Sequence, residues 1–324
     1  MKLAGGYGTD PRIRAIEWLP WVVAVISYFV APTYLPLGAY VLTMILFALS
    51  LDLILGYGGI ITLGHSAYFG TGAYVAGILA ARLTGEPLTG LLAGALAAGL
   101  LGLATGFVIL RTRGLAQLML TMAIAALCFE LANKATGWTG GADGLGGFTI
   151  QPLLGLFKFD FFGKTAYLYC LAVLFVCWWL TRRLVCSPFG ASLTGVRENA
   201  MRMSAVGSPV YLRLVVAYTI SAALAGLAGA LLTQTTQFVG LRVLSFELSG
   251  ELMVMLILGG IGRIYGAFVG PLVFLVAQDL LAKQFPEYWS FGIGVMLVLV
   301  VLFARGGILG LIDAAIAATR RGPR

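Results

Sequence analysis

Residues 88–110 read LTGLLAGALAAGLLGLATGFVIL, a run with no charge in it. As a helix rising about 1.5 Å per residue, such a run crosses the roughly 30 Å hydrocarbon core of a bilayer. Gly90 with Gly94 and Gly102 with Gly106 form small-xxx-small pairs, which in lipid let helix backbones approach closely. The whole chain shares this character. Hydrophobic residues make up 60% and charged residues 10% of its 324 positions, and mean hydropathy is +0.97. A soluble domain carries about 25% charged residues. That much apolar surface excludes a soluble enzyme, a disordered chain and a disulfide scaffold.

Nine further runs resemble this one. The candidate spans are 18–34, 37–55, 64–81, 88–110, 115–135, 165–181, 213–234, 249–262, 266–283 and 289–304. The stretch 249–262 is short enough to be a broken or partial span. The fold expected is therefore an all-α polytopic membrane protein of about ten transmembrane helices. Residues 1–17 carry charge without an apolar core and are no cleaved signal peptide. They form an N-terminal cytoplasmic segment, 18–310 a transmembrane domain, and 311–324 a basic cytoplasmic tail.

Charge sets the orientation. With the N-terminus inside, fifteen of the 21 Lys and Arg fall in inner segments, among them Lys2, Arg12, Arg14, Arg182, Arg183, Arg197 and Arg202. Six fall outside: Arg82, Lys134, Lys158, Lys164, Arg242 and Lys283. Basic residues favour cytoplasmic loops, so both termini are expected in the cytoplasm. The net charge of +8 is thereby spread over many loops, which leaves no basic face for nucleic acid.

Two connections are long. The outer one, 136–164, contains Thr139-Gly140-Gly141-Ala142-Asp143-Gly144-Leu145. The inner one, 182–212, reads RRLVCSPFGASLTGVRENAMRMSAVGSPVYL. Ser187-Pro188 is a helix start and Gly207-Ser208-Pro209 a stop. Leu193, Val196, Ala200 and Met203 share one side at helical spacing, with Arg197, Glu198 and Arg202 largely elsewhere. Such a helix either docks a soluble partner or lies on the bilayer.

The chain also echoes itself. Residues 53–79 read LILGYGGIITLGHSAYFGTGAYVAGIL and residues 256–276 read LILGGIGRIYGAFVGPLVFLV. Each has a glycine cluster at the inner end of one span and then opens another, as in carriers built from repeats. The segment from Gly58 and Gly59 to Gly64, His65 and Ser66 is either a tight turn or an unwound stretch whose amides meet a polar ligand. In the second case the Gly64 backbone faces the pathway.

Enzymatic motifs are lacking. Phe162-Gly163-Lys164-Thr165 resembles the end of a Walker A loop, but position 158, where that loop needs Gly, is Lys158. One histidine and four cysteines without ligand spacing make a metal site unexpected. Cys128, Cys170, Cys177 and Cys186 read as small buried apolar residues. Carboxylates inside membrane spans are usually functional. Asp52 lies near an inner end beside the glycine cluster, either neutral or paired with a basic loop residue. Glu130 and Asp279 lie near outer ends, where solvation is expected. Glu247 and Glu251 lie one turn apart at an outer mouth.

Over residues 37–310 the chain resembles the permease subunits of branched-chain amino-acid ABC importers, the LivM and LivH type. Four ordered motifs carry the likeness: Gly56-Tyr57-Gly58-Gly59 through Gly64-His65-Ser66 to Tyr74; Leu120-Thr121-Met122-Ala123, Leu131-Ala132-Asn133 and Thr139 to Leu145; Ser187-Pro188-Phe189-Gly190 through Arg197-Glu198-Asn199 to Gly207; and Ser245-Phe246-Glu247-Leu248-Ser249 through Gly259-Gly260, Gly262 and Gly270. The Ser187–Gly207 loop makes it closer to LivM. The resemblance implies a multi-pass protein of the bacterial inner membrane. It implies a second permease of the LivH type, two cytoplasmic ABC ATPases and a periplasmic substrate-binding protein as partners. ATP and Mg would act on the ATPases, with no cofactor in this chain. The loop residues Ser187, Pro188, Phe189, Gly190, Arg197, Glu198, Asn199 and Gly207 would form the coupling helix seated on an ATPase. Gly58, Gly59, Gly64, His65, Ser66, Thr139, Gly140, Gly141, Asp143 and Glu247 would belong to the substrate pathway. Asp52 stands where the family commonly has Asn, Glu130 where it has an apolar residue, and Arg263 where it has a small one. These departures leave branched-chain amino acids, urea, short amides and aromatic acids open as ligands. An autonomous ion-coupled carrier using Asp52, Glu130 or Asp279 as a relay is the competing expectation.

Overall fold

The computed structural model describes residues 15–30, 32–152, 163–303 and 306–311. Expectations for 1–14, for 153–162 in the outer connection and for 312–324 lie outside the described residues. The described chain is helical; among its residues the β pairing is one isolated antiparallel bridge, Leu145 with Val239.

Helices occur where apolar runs were expected. They are α1 (Leu19–Val30), α2 (Leu35–Asp52), α3 (Ser66–Arg82), α4 (Pro87–Ile109), α5 (Leu115–Lys134), the short α6 (Thr136–Thr139), α7 (Lys164–Val185), α8 (Pro188–Ala205), α9 (Val210–Thr236), α10 (Phe246–Gly259), α11 (Gly266–Gln284) and α12 (Trp289–Phe303). Among the described residues, six are long and apolar enough to cross a membrane: α2 with its flanking turns, α4, α5, α7, α9 and α11. The other four expected spans are helices of 12, 17, 14 and 15 residues for α1, α3, α10 and α12. At 14 residues α10 rises only about 21 Å, less than the hydrocarbon core, in keeping with the short or partial span that the length of 249–262 suggested. α3 begins at Ser66, two residues after the expected start, and α10 ends at Gly259, three residues before the expected end, where the glycine break begins.

Glycine builds the tightest layer. The most extensive packing joins α9 to α4 and to α3. A side chain on Gly72 would strike the Gly226 backbone, and one on Gly94 would come within 3.0 Å of Ala230. The small-residue pairs therefore do the packing that lipid requires. α2 is the central helix, enclosed by α7, α9, α10 and α11; Leu46, Phe47 and Ala48 are wholly buried. α4 and α5 turn Leu92, Leu96, Leu100, Met119, Leu127 and Leu131 outward, an apolar surface far too long for water.

Candidate functional site

Two interrupted helix pairs organise the centre. α2 runs into a π-helical turn, Leu53–Tyr57, and α3 starts only at Ser66. α10 stops at Gly259 and α11 starts at Gly266. The repeat seen in the sequence is thus a repeat of helix, glycine break, helix. The breaks touch: a Cβ on Gly56 would lie 2.7 Å from the Gly262 backbone. Gly262 has φ +76° and Gly59 φ +72°, so side chains there would be strained as well as crowded.

The first break satisfies its backbone partly within itself and partly from other helices. The amides of Gly59 and Ile60 donate to Leu55 and Ile54, Leu63 to Thr121 Oγ1, Gly64 to Thr62 Oγ1, and Ser66 to Ser249 Oγ. Gly64 faces the Thr121 carbonyl so closely that a Cβ has no room. His65 is 1% exposed, stacked on Phe47, with Nε2 2.9 Å from Ser50 Oγ. In this conformation Gly64, His65 and Ser66 knit α2, α3, α5 and α10 together.

α10 starts deep in the bundle. Ser245 caps it by accepting from the Leu248 amide, and Ser249 Oγ donates to Ser66 Oγ at 2.8 Å. Its first turn therefore lies beside the first turn of α3, with Gly70 packed on Leu244. Glu247 and Glu251 thus lie on the first turns of α10, which the stretch 237–245 brings alongside α3. Glu247 is exposed there, and Glu251 pairs with Arg242 at 3.6 Å.

α8 closes the end where the breaks meet. Ser187 caps it, accepting from the Gly190 amide. Leu193 and Val196 are buried as their spacing predicts, and Met203 is half-buried. The helix is kinked, not continuous: Asn199 has extended backbone (φ −159°, ψ 98°), and its Oδ1 accepts from the Arg202 amide, restarting the last turn. Gly207 has φ +85° just past the end, the usual helix-stop geometry. Glu198 is exposed. Arg197 turns back to the bundle and donates to the Gly56 carbonyl. Beneath it, Asp52 Oδ1 accepts from the Gly262 amide at 2.7 Å.

The outer-loop residues form a separate group. Thr139 is buried and donates to Ala132 and Ala135, while the Gly141 amide donates back to Thr139 Oγ1. Gly140 and Gly141 have positive φ, and Asp143 is exposed. The Leu145–Val239 bridge ties this loop to the stretch leading into α10. Thr139, Gly140, Gly141 and Asp143 therefore sit at the far end of α3 and α5 from Gly58 and Gly59.

The model for the family "branched-chain amino acid transport system / permease component" matches residues 35–301. The chain belongs to this permease family. It is similar to the high-affinity branched-chain amino acid transport system permease protein LivM of Escherichia coli, 28% identical over 83% of this chain and 68% of that protein. The LivM of Salmonella typhimurium is 27% identical over 82% of this chain and 67% of its own length. No solved structure matches. With its long apolar helices, this permease is a multi-pass membrane protein.

Other contacts of this permease escaped the sequence. Glu17 forms a buried ion pair with Arg182, and Tyr265 OH donates to Glu17 Oε2 at 3.1 Å. That knot holds the entry of α1 to the end of α7 and to the second break, across 248 positions. An acidic residue just before an apolar run was the one available signal. Cys170 and Cys177 are buried as expected, whereas Cys128 and Cys186 are half-buried.

Proposed function

We propose that this chain is the transmembrane permease subunit of an ATP-driven importer. It translocates branched-chain or related amino acids delivered by a periplasmic binding protein. It works by alternating access coupled to separate ATPases, paired with a second permease of the LivH type. Ten crossings of the bacterial inner membrane and cytoplasmic termini complete the proposal, supported by the basic-residue bias. Family membership and the match to LivM support the class and the ligand.

One observation carries the coupling: α8, exposed at Glu198, is pinned through Arg197 to the break between α2 and α3. A helix seated on an ATPase and tied to a broken membrane helix can pass on movement. The pathway then follows the surface beside Glu247 where α10 begins. The carrier alternative finds little support. Glu130 pairs with Lys134 and Asp279 with Lys283, each one turn along its own helix. Two of its three relay candidates are thus neutralised at helix ends.

The test is uptake of labelled leucine into proteoliposomes holding the complex purified from its native membrane, with the binding protein added. Uptake that requires ATP on the α8 side supports the proposal. Uptake by this chain alone under a proton gradient, indifferent to ATP, overturns it.

A further inference from the structure

The contact beneath α8 joins three segments far apart in sequence. Gly56, in the turn after α2, gives its carbonyl to Arg197 of α8. Gly262, in the break between α10 and α11, gives its amide to Asp52 at 2.7 Å. A side chain on Gly262 would come 2.9 Å from the Arg197 guanidinium, and one on Gly59 would come 2.7 Å from the Arg197 side chain. Arg197 thus rests against both breaks, while Asp52 reaches from one to the other. Asp52 is 1% exposed, and its second oxygen, Oδ2, is buried without a hydrogen-bond partner. Burying a carboxyl group this way is costly unless partners compensate; among the described residues the Gly262 amide is its one hydrogen-bond partner, with Arg197 packed against the same two breaks.

We infer that Asp52 is a positioning residue for transport. It locks the α10–α11 break to the α2–α3 break beneath Arg197, so that a displacement of α8 moves both together. The inference rests on the importer proposal for what α8 binds, but the lock itself is a property of this chain. Either break held alone would let one helix pair follow α8 while the other lagged. Asp52→Ala removes the acceptor that the Gly262 amide uses and so cuts the link between the two breaks.

The experiment uses the intact complex purified from membrane. Uptake of leucine per ATP hydrolysed is measured for wild type, Asp52→Ala, Arg197→Met and the double variant. The expected result is retained ATPase subunits and retained hydrolysis, with uptake per ATP about tenfold lower in each single variant. The double variant should be no worse than the poorer single one, because the residues act as one link. A wild-type ratio in Asp52→Ala, or losses that multiply in the double variant, would overturn the inference. Hydrogen exchange on the Arg197→Met protein provides an independent arm, needing neither ATPase nor a foldable Asp52 variant. Faster exchange at both 58–65 and 260–265 supports the lock; faster exchange at 58–65 alone refutes it. A wild-type complex without ATPases would sink the importer proposal and leave the exchange arm intact.

Discussion

Gly72 and Gly250 occupy opposite situations. Gly72 meets the Gly226 backbone with no space between them, while nothing lies within 4 Å of a Cβ on Gly250. Gly72→Val should cost at least about 1–3 kcal/mol through overpacking, seen as a lower melting temperature in detergent or as loss from the membrane. Gly250→Ala should melt as wild type. Equal behaviour of the two would contradict the packing described. The pair Glu17 and Arg182 gives a second contrast. Glu17→Ala removes the carboxylate paired with a buried guanidinium and should cost about 3–5 kcal/mol, whereas Glu17→Leu with Arg182→Met should recover most of it. Thermal melting checks both; a harmless Glu17→Ala would show that the pair is solvated. Gly64 belongs with Gly72, since the Thr121 carbonyl fills its Cβ position. Gly64→Leu is expected to release α5 and lose folded protein, an outcome that immunoblotting of membranes separates from a folded but inactive variant.

At the scale of elements, long uncharged runs were legible because lipid leaves the backbone no partner but its own helix. The break at 58–65 was legible from its glycines, but what permits it was not: Thr121 and Ser249 satisfy its amides from other helices. The α8 boundaries were readable from Ser187-Pro188 and Gly207, because caps are local chemistry. Its kink at Asn199 was hidden, since Asn suits a helix poorly but marks no fixed break. Asp52 was legible as odd, but its partner, Gly262, lies 210 positions away. Glu198 tests the element. Because it is exposed on α8, Glu198→Lys should leave melting unchanged within about 0.5 kcal/mol while lowering ATP-driven uptake. Unchanged uptake would place the docking surface elsewhere on the chain.

For the whole molecule, the bundle makes sense only with neighbours. α5 is the least enclosed of the long apolar helices, and α4 presents a row of leucines beside it. Lipid covers such surface readily, but an exposed carboxylate at the start of α10, Glu247, calls for a polar neighbour or a water-filled path. A second permease against that face would supply both. The most direct measurement is gentle purification of the tagged chain from its native membrane, followed by mass spectrometry of everything that accompanies it. Two ATPases and a second, similar permease are the predicted companions. Recovery of this chain alone, in several detergents, would contradict the importer account.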